Sequence, residues 1–150
     1  MNIPEDFKEF IALLNAHEVR YLIVGGYAVG FHSRPKFTQD IDIWVENSKQ
    51  NSLRLRKVLE EFGFGSSDIS IEDLTSPDKV IQLGNAPLRI DLMTSISGIG
   101  FKSAYENRVT GNYFNIDANF ISLNDLIINK KSSKREKDSE DLRWIKKYSH

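Results

Sequence analysis

The stretch VGGYAVGFHSRPKFTQDIDIWVE, Val24 to Glu46, sets a Gly-Gly pair at the end of one apolar run and an Asp-Ile-Asp pair inside the next. Tyr21-Leu22-Ile23-Val24 is short, apolar and halted by Gly25-Gly26, which reads as a buried strand entering a tight turn. A short helix through Tyr27 to His32 follows. Asp40 to Val45 then alternates Asp-Ile-Asp-Ile-Trp-Val, a strand pattern in which residues two apart share a face. Ile41, Ile43 and Val45 therefore face a core, and Asp40, Asp42 and Trp44 face the other way.

Working outward, Phe7, Phe10, Ile11 and Leu14 recur at helical spacing after Pro4, so residues 4–17 read as an amphipathic helix. Leu55, Val58, Leu59 and Phe62 mark another, ended by Gly63 and Gly65. Lys79 to Leu83 and Leu88 to Met93, separated by Gly-Asn-Ala-Pro, read as a hairpin, and Asn112 to Ile121 supplies one or two more strands. Ser122 with Asp125 forms a capping-box pattern for a helix over 123–131, and Leu142, Ile145 and Tyr148 mark a last helix over 137–148. The order of elements predicts an α/β (α+β) fold with a mixed sheet and C-terminal helices. No repeat or linker divides the chain, so residues 1–150 read as a single domain.

Composition narrows the function classes. With 40% apolar residues the chain can bury a core, and its formal net charge of −1 excludes a broadly basic nucleic-acid binder, although KKSSKREK near the C-terminus forms a local basic run. There is no apolar run of about 18 residues and no basic-then-apolar leader pattern, so no membrane association and a cytoplasmic location are expected. The absence of cysteine excludes disulfides, thiolate metal sites and a cysteine nucleophile. Any metal must take oxygen or imidazole ligands.

Two same-face carboxylates about 6–7 Å apart repel by about 2–3 kcal/mol at an effective dielectric near 20, so something positive should lie between Asp40 and Asp42. Asp91, flanked by Ile90 and Leu92, is a third acid on the polar side of a strand. If the two strands adjoin, three hard oxygen donors converge, a set suited to Mg²⁺ or Mn²⁺ held together with substrate phosphates. The Gly25-Gly26 turn supplies the complement, because backbone N–H groups at a glycine-opened helix start can cradle a triphosphate.

Taken in order, apolar-Gly-Gly, a connection of thirteen residues, Asp-apolar-Asp-apolar and a later Ile90-Asp91-Leu92 resemble the polymerase-β-type nucleotidyltransferases. His32, Arg34 and Thr38 before the Asp pair, with Lys130, Arg135, Lys137 and Asp138 in a KxxxxRxKD pattern, are most similar to the small bacterial branch related to AbiEii-type toxins. The chain departs from the superfamily in having Gly-Gly where many members have Gly-Ser, and it lacks the larger C-terminal region of full-length toxins. The resemblance implies transfer of a nucleoside monophosphate from an NTP to an acceptor. It implies two Mg²⁺ or Mn²⁺ ions held by Asp40, Asp42 and Asp91, with Asp91 also helping to take the proton. It further implies phosphate contacts from Gly25, Gly26 and Lys130, nucleotide-side roles for Arg34 and Thr38, and a toxin–antitoxin setting with a partner protein.

For Lys130 the competing reading is a solvated helix face, from which a lysine can be removed at under about 0.5 kcal/mol. Asp138 reads either as positioning Lys130 or Arg135 across a helix turn or as an ordinary surface ion pair, and the roles of His32 and Arg135 stay open. An RNA end, a protein hydroxyl and a small molecule all remain as acceptors, the basic C-terminal helices favouring an anionic one. Two rival functions were weighed. A dinucleotide-binding turn needs G-x-G-x-x-G, and Tyr27 stands where its second glycine should be. A non-catalytic nucleotide- or partner-binding module on the same fold is the stronger rival, separable by NTP binding without product.

Overall fold

The structure is a computed structural model that describes residues 4–64, 69–84, 89–113 and 115–149. Helix α1 (Glu5–Ala16) is followed by β1 (Tyr21–Val24), α2 (Gly25–His32), β2 (Asp40–Val45), α3 (Lys49–Phe62) and the short α4 (Ile71–Thr75). Strands β3 (Val80–Leu83) and β4 (Arg89–Met93), helix α5 (Phe101–Glu106), strands β5 (Val109–Tyr113) and β6 (Ile116–Phe120), and helices α6 (Leu123–Ser132) and α7 (Glu136–Tyr148) complete the chain. Gly65, the Asn85-Ala86-Pro87 part of the hairpin connection and Leu88 lie outside the described residues. Of the one or two strands expected over 112–121 there are two, paired antiparallel and starting earlier, at Val109, while α4 and α5 have no counterpart in the sequence reading. Both are under two turns long, too short to display a helical period.

The six strands form one mixed sheet in the order β3-β4-β2-β1-β6-β5. β1 and β2 run antiparallel, while β2 with β4 and β1 with β6 run parallel, so the two strands expected to carry aspartates are neighbours. Along β2, Ile41 and Ile43 are fully buried, as the alternation requires. Trp44 shares the aspartates' face but is buried as well, because Phe101 of α5 packs against its ring edge-on. The aspartate-bearing face is therefore capped at one end and open at the other.

Helix placement follows from the apolar stripes. Phe7, Phe10, Ile11 and Leu14 of α1 are all buried, and α1 packs against α3 and β6. Gly63 ends α3 in a left-handed conformation, φ 104°, and Ser122 caps α6 by accepting a hydrogen bond from the Asp125 N–H. The helix α2 packs on β1 and β2 and also meets α6 and α7, which brings the C-terminal pair over the open end of the aspartate face. No helix among the described residues is long and apolar enough to cross a membrane.

Candidate active site

Register builds the site. Val24 pairs with Asp42 across β1 and β2, and Asp42 pairs with Asp91 across β2 and β4, so the end of β1 and both carboxylates lie in one row across three strands. α2 starts directly after Val24, with Gly25 at φ +64°, a conformation that disfavours any side chain. The approach is close: a Cβ on Gly25 would lie 2.2 Å from Asp42 Oδ2. At Gly26 a Cβ would meet Thr38 Oγ1 at 3.1 Å, and that hydroxyl in turn donates to the Asp40 carbonyl at 3.2 Å. The turn, the loop residue Thr38 and the carboxylate row form one surface.

A positive group is expected between Asp40 and Asp42; the structure instead has Arg89, two residues before Asp91 on the same face of β4, bridging Asp40 and Asp91. Its Nε donates to Asp91 Oδ1 at 2.7 Å, and its Nη2 donates to Asp91 Oδ2 at 3.1 Å and to Asp40 Oδ2 at 3.0 Å. Among the described residues Asp42 has no such partner. Burial, then the neighbouring Asp91 carboxylate, push its pKa up to about 6, with Lys137 and Lys130 opposing the shift.

The donor chemistry fits a hard divalent cation, since Asp40 lies on the same face as the Asp42–Asp91 row and no side chain among the described residues is bonded to Asp42. Asp40, Asp42 and Asp91 are the residues that would hold it. As they stand, no three His, Cys, Asp or Glu side chains among the described residues converge closely enough to enclose an ion, and Arg89 engages two of these three.

A polar cavity of about 390 Å³ opens over the row, lined by Gly26, Lys36, Thr38, Asp40, Asp42, Arg89, Asp91, Arg135 and Lys137 among others. A second, of about 370 Å³, shares Asp42, Asp91 and Arg135 with the first and reaches Gly25 and Lys130. Lys137 is exposed and has no ion pair among the described residues, which leaves it available to an anion in the first cavity.

Lys130 corrects an expectation. It is 3% exposed, so the solvated-face reading fails, and its ammonium lies 2.9 Å from Asp138 Oδ1 and 3.0 Å from Asp141 Oδ2. With both carboxylates bound to it, Lys130 reaches the site chiefly through its field on Asp42 rather than as a free phosphate ligand. Lys36 closes the cluster with a 2.8 Å contact to Asp141 Oδ1, and Arg135 grips Asp138 at 2.9 and 3.2 Å. Ser133 Oγ also donates to Asp138. Burial would raise the Asp138 pKa, but hydrogen bonds from Arg135, Ser133 and Lys130 outweigh it and hold the carboxyl well below the usual range.

Two residues that precede the Asp pair do not join the site. Arg34 lies over the Tyr148 ring at 4.3 Å, and its carbonyl accepts from Trp144 Nε1 at 2.7 Å, so it ties the loop to α7 instead of contacting a nucleotide in the cavity. His32 Nε2 is hydrogen-bonded to the Ile121 carbonyl at 2.6 Å, and burial lowers its pKa. Conversely, Arg89, Lys36 and Asp141 belong to the site surroundings and carry no role in the sequence reading, whereas Lys137 of the KxxxxRxKD pattern does line the cavity. For Arg89 the signal was its position two residues before Asp91 on a strand.

The same fold is found in known proteins. Across 97% of this chain and 97% of the other, the fold is similar to lincosamide antibiotic adenylyltransferase LnuA with lincomycin bound, at 15% identity and a TM-score of 0.59. Across 98% and 96% respectively it is similar to a Thermotoga maritima protein provisionally assigned as a nucleotidyltransferase, at 16% identity and a TM-score of 0.63. No curated protein matches the chain significantly in sequence. The family described as "Nucleotidyltransferase of unknown function (DUF6036)" matches residues 2–147, and with the polymerase-β-like fold and the Asp-rich row in place, the chain belongs to that nucleotidyltransferase family.

Proposed function

We propose that the protein transfers a nucleoside monophosphate from an NTP to an acceptor hydroxyl in a metal-dependent reaction at Asp40, Asp42 and Asp91. The observation that carries this reading is the in-register Asp42 and Asp91 pair, packed against the positive-φ Gly25 turn at the floor of a cavity rimmed by Lys137 and Arg135. The backbone at Gly25 and Gly26 offers N–H groups to phosphate oxygens, and Lys137 and Arg135 add positive charge beside them. The acceptor oxygen bonds to the α-phosphorus as pyrophosphate leaves. Bound Mg²⁺ or Mn²⁺ would supply charge neutralisation for the triphosphate and acidify the acceptor hydroxyl. Asp91 would also help to take the proton that the acceptor gives up.

The acceptor is an RNA end, a protein hydroxyl or a hydroxylated small molecule; the likeness of fold to LnuA, a lincosamide adenylyltransferase, lends the last some support. A toxin–antitoxin setting with an antitoxin partner in the cytoplasm, as in AbiEii-type systems, extends the proposal. The test is incubation with each labelled NTP and Mg²⁺ against total RNA, a protein extract and a panel of hydroxylated small molecules. Label on one acceptor class, abolished by chelator and by Asp42→Asn, is the expected result. Binding of metal and NTP without transfer to any class would replace the enzyme with a nucleotide-binding module.

A further inference from the structure

Arg89 occupies the oxygens that a cation would need. The register sets it opposite Asp40 on β2, and its place two residues before Asp91 turns both side chains to the same face. One guanidinium thereby engages both oxygens of Asp91 and one of Asp40, while Asp42 between them has no hydrogen-bonded partner for its side chain among the described residues. A divalent ion drawing on the Asp91 oxygens and Asp40 Oδ2 competes with the planar fork of Arg89 for the same lone pairs and the same negative charge. Resting on the nucleotidyltransferase reading, we infer that Arg89 is a placeholder cation: it holds Asp40 and Asp91 in the metal-free protein and moves onto the triphosphate when metal takes its place.

The exchange is chemically balanced. A guanidinium drawn off two carboxylates must find another anion, and phosphate is the other group whose geometry its donor fork matches. Arg89 lines the same cavity as Lys137 and is 28% exposed in its side chain, so it can leave the carboxylates without unpacking a core. The consequence is coupling. Metal alone must evict Arg89 into solvent, and triphosphate alone must pull Arg89 off its carboxylates, whereas together each provides what the other displaces. Arg89 is thus a positioning residue that favours loading of metal and nucleotide as a pair.

The experiment measures two affinities separately, each without the other ligand: Mn²⁺ by the loss of its free-ion electron paramagnetic resonance signal, and inorganic triphosphate by calorimetry in chelator-treated buffer. Arg89→Gln should bind Mn²⁺ at least about tenfold more tightly than the parent, because the competent state is no longer occupied by the guanidinium, and should bind triphosphate at least about fivefold more weakly. Arg89→Lys, which keeps the charge and loses the fork, should fall between the two and serves if Arg89→Gln does not fold. Lys137→Gln controls for the general field. It removes a charge from the same cavity that bonds none of the carboxylates, so its Mn²⁺ affinity should rise by less than about threefold. An equal rise in Lys137→Gln, or unchanged Mn²⁺ affinity in folded Arg89→Gln, would overturn the placeholder while leaving the transferase reading intact. If the parent and all variants bind neither Mn²⁺ nor triphosphate, both readings fall together.

Discussion

Two charged clusters stand near one another between the sheet and the C-terminal helices, and the same residue type is pushed in opposite directions in each. Around Lys130, the carboxylates of Asp138 and Asp141 are 1% and 0% exposed and are met by Lys130, Lys36 and Arg135. Asp138 and Asp141 are held below the ordinary carboxylate range despite their burial. On the β2–β4 face, among the described residues, Arg89 is the one cation bonded to the three carboxylates and reaches two of them, Asp40 and Asp91, while Asp42 is pushed up to about 6. The first cluster has more cations than anions and is closed. The second is left short of positive charge at the floor of a cavity, which is how a site differs from a structural ion network.

The largest effect that probes this contrast is expected at Lys130. Lys130→Met removes the charge at similar volume and takes the shared buried partner from two carboxylates that keep Arg135, Ser133 and Lys36, which should cost about 2–4 kcal/mol, a large part of a typical domain's stability. Urea unfolding checks it. A loss under about 1 kcal/mol would mean that the closed cluster is not closed, and the comparison would lose one of its sides.

Next comes acid. Asp138 and Asp141 have folded pKa values below their unfolded ones, near 3.9, so the stability they contribute is present above that pH and lost as pH falls below it. The parent should weaken steeply below about pH 4. Asp138→Asn should lower neutral-pH stability by about 1–3 kcal/mol, by leaving Lys130 and Arg135 short of an acceptor, and should flatten that acid limb. A limb equally steep in the variant would assign acid sensitivity elsewhere.

Asp42→Asn is expected to act with the opposite sign. A folded pKa above the unfolded one means that the ionised carboxylate destabilises the metal-free protein, with stability lost as pH rises from near 3.9 through about 6. The variant does not titrate. It should match the parent near pH 4, gain on it up to about pH 6, and remain about 1–2 kcal/mol more stable at neutral pH, while losing the rise in melting temperature that Mg²⁺ plus NTP gives the parent. A variant that melts lower without metal yet keeps the ligand-induced rise would make the row scaffold, like its neighbour.

The row was largely legible in the sequence and the closed cluster only in the pairing of Asp138 with Lys130 or Arg135, for a physical reason. Strand alternation is local: Asp40-Ile41-Asp42-Ile43 declares its faces within four residues, as does the Gly25-Gly26 stop. What Arg89 bonds to depends on the register of β2 against β4, set by strands 49 residues apart, and the Lys36–Asp141 pair spans 105. Lys130 was misjudged from its KK context, although a signal existed. It lies four residues after the fully buried Leu126, and Asp138 and Asp141 fall on the stripe that ends at buried Ile145. Charges on an apolar stripe in two consecutive helices are the mark of a buried pair.

The smallest stability effect, and the sharpest test of where the open row ends, lies in the two neighbouring glycines. Gly25→Ala must hold a side chain at φ +64°, about 1–2 kcal/mol unfavourable for an L-residue and partly offset by reduced freedom of the unfolded chain, so the net loss should be near 1 kcal/mol. Its Cβ would stand 2.2 Å from Asp42 Oδ2, so that carboxylate must shift. A displacement of the order of 1 Å in a reacting constellation is enough to lower transfer about 100-fold. At Gly26 the backbone is free of that constraint, and the new methyl would press on Thr38 Oγ1 at 3.1 Å and Thr38 Cβ at 3.2 Å, contacts that a loop can relieve by a few tenths of an ångström. Gly26→Ala should therefore stay within about 0.5 kcal/mol of the parent in stability and lose activity far less. Measured side by side, melting temperatures should nearly coincide while transfer rates diverge. Equal rates would mean that Asp42 tolerates displacement, and the close approach of turn and carboxylate would then belong to the scaffold instead of the site.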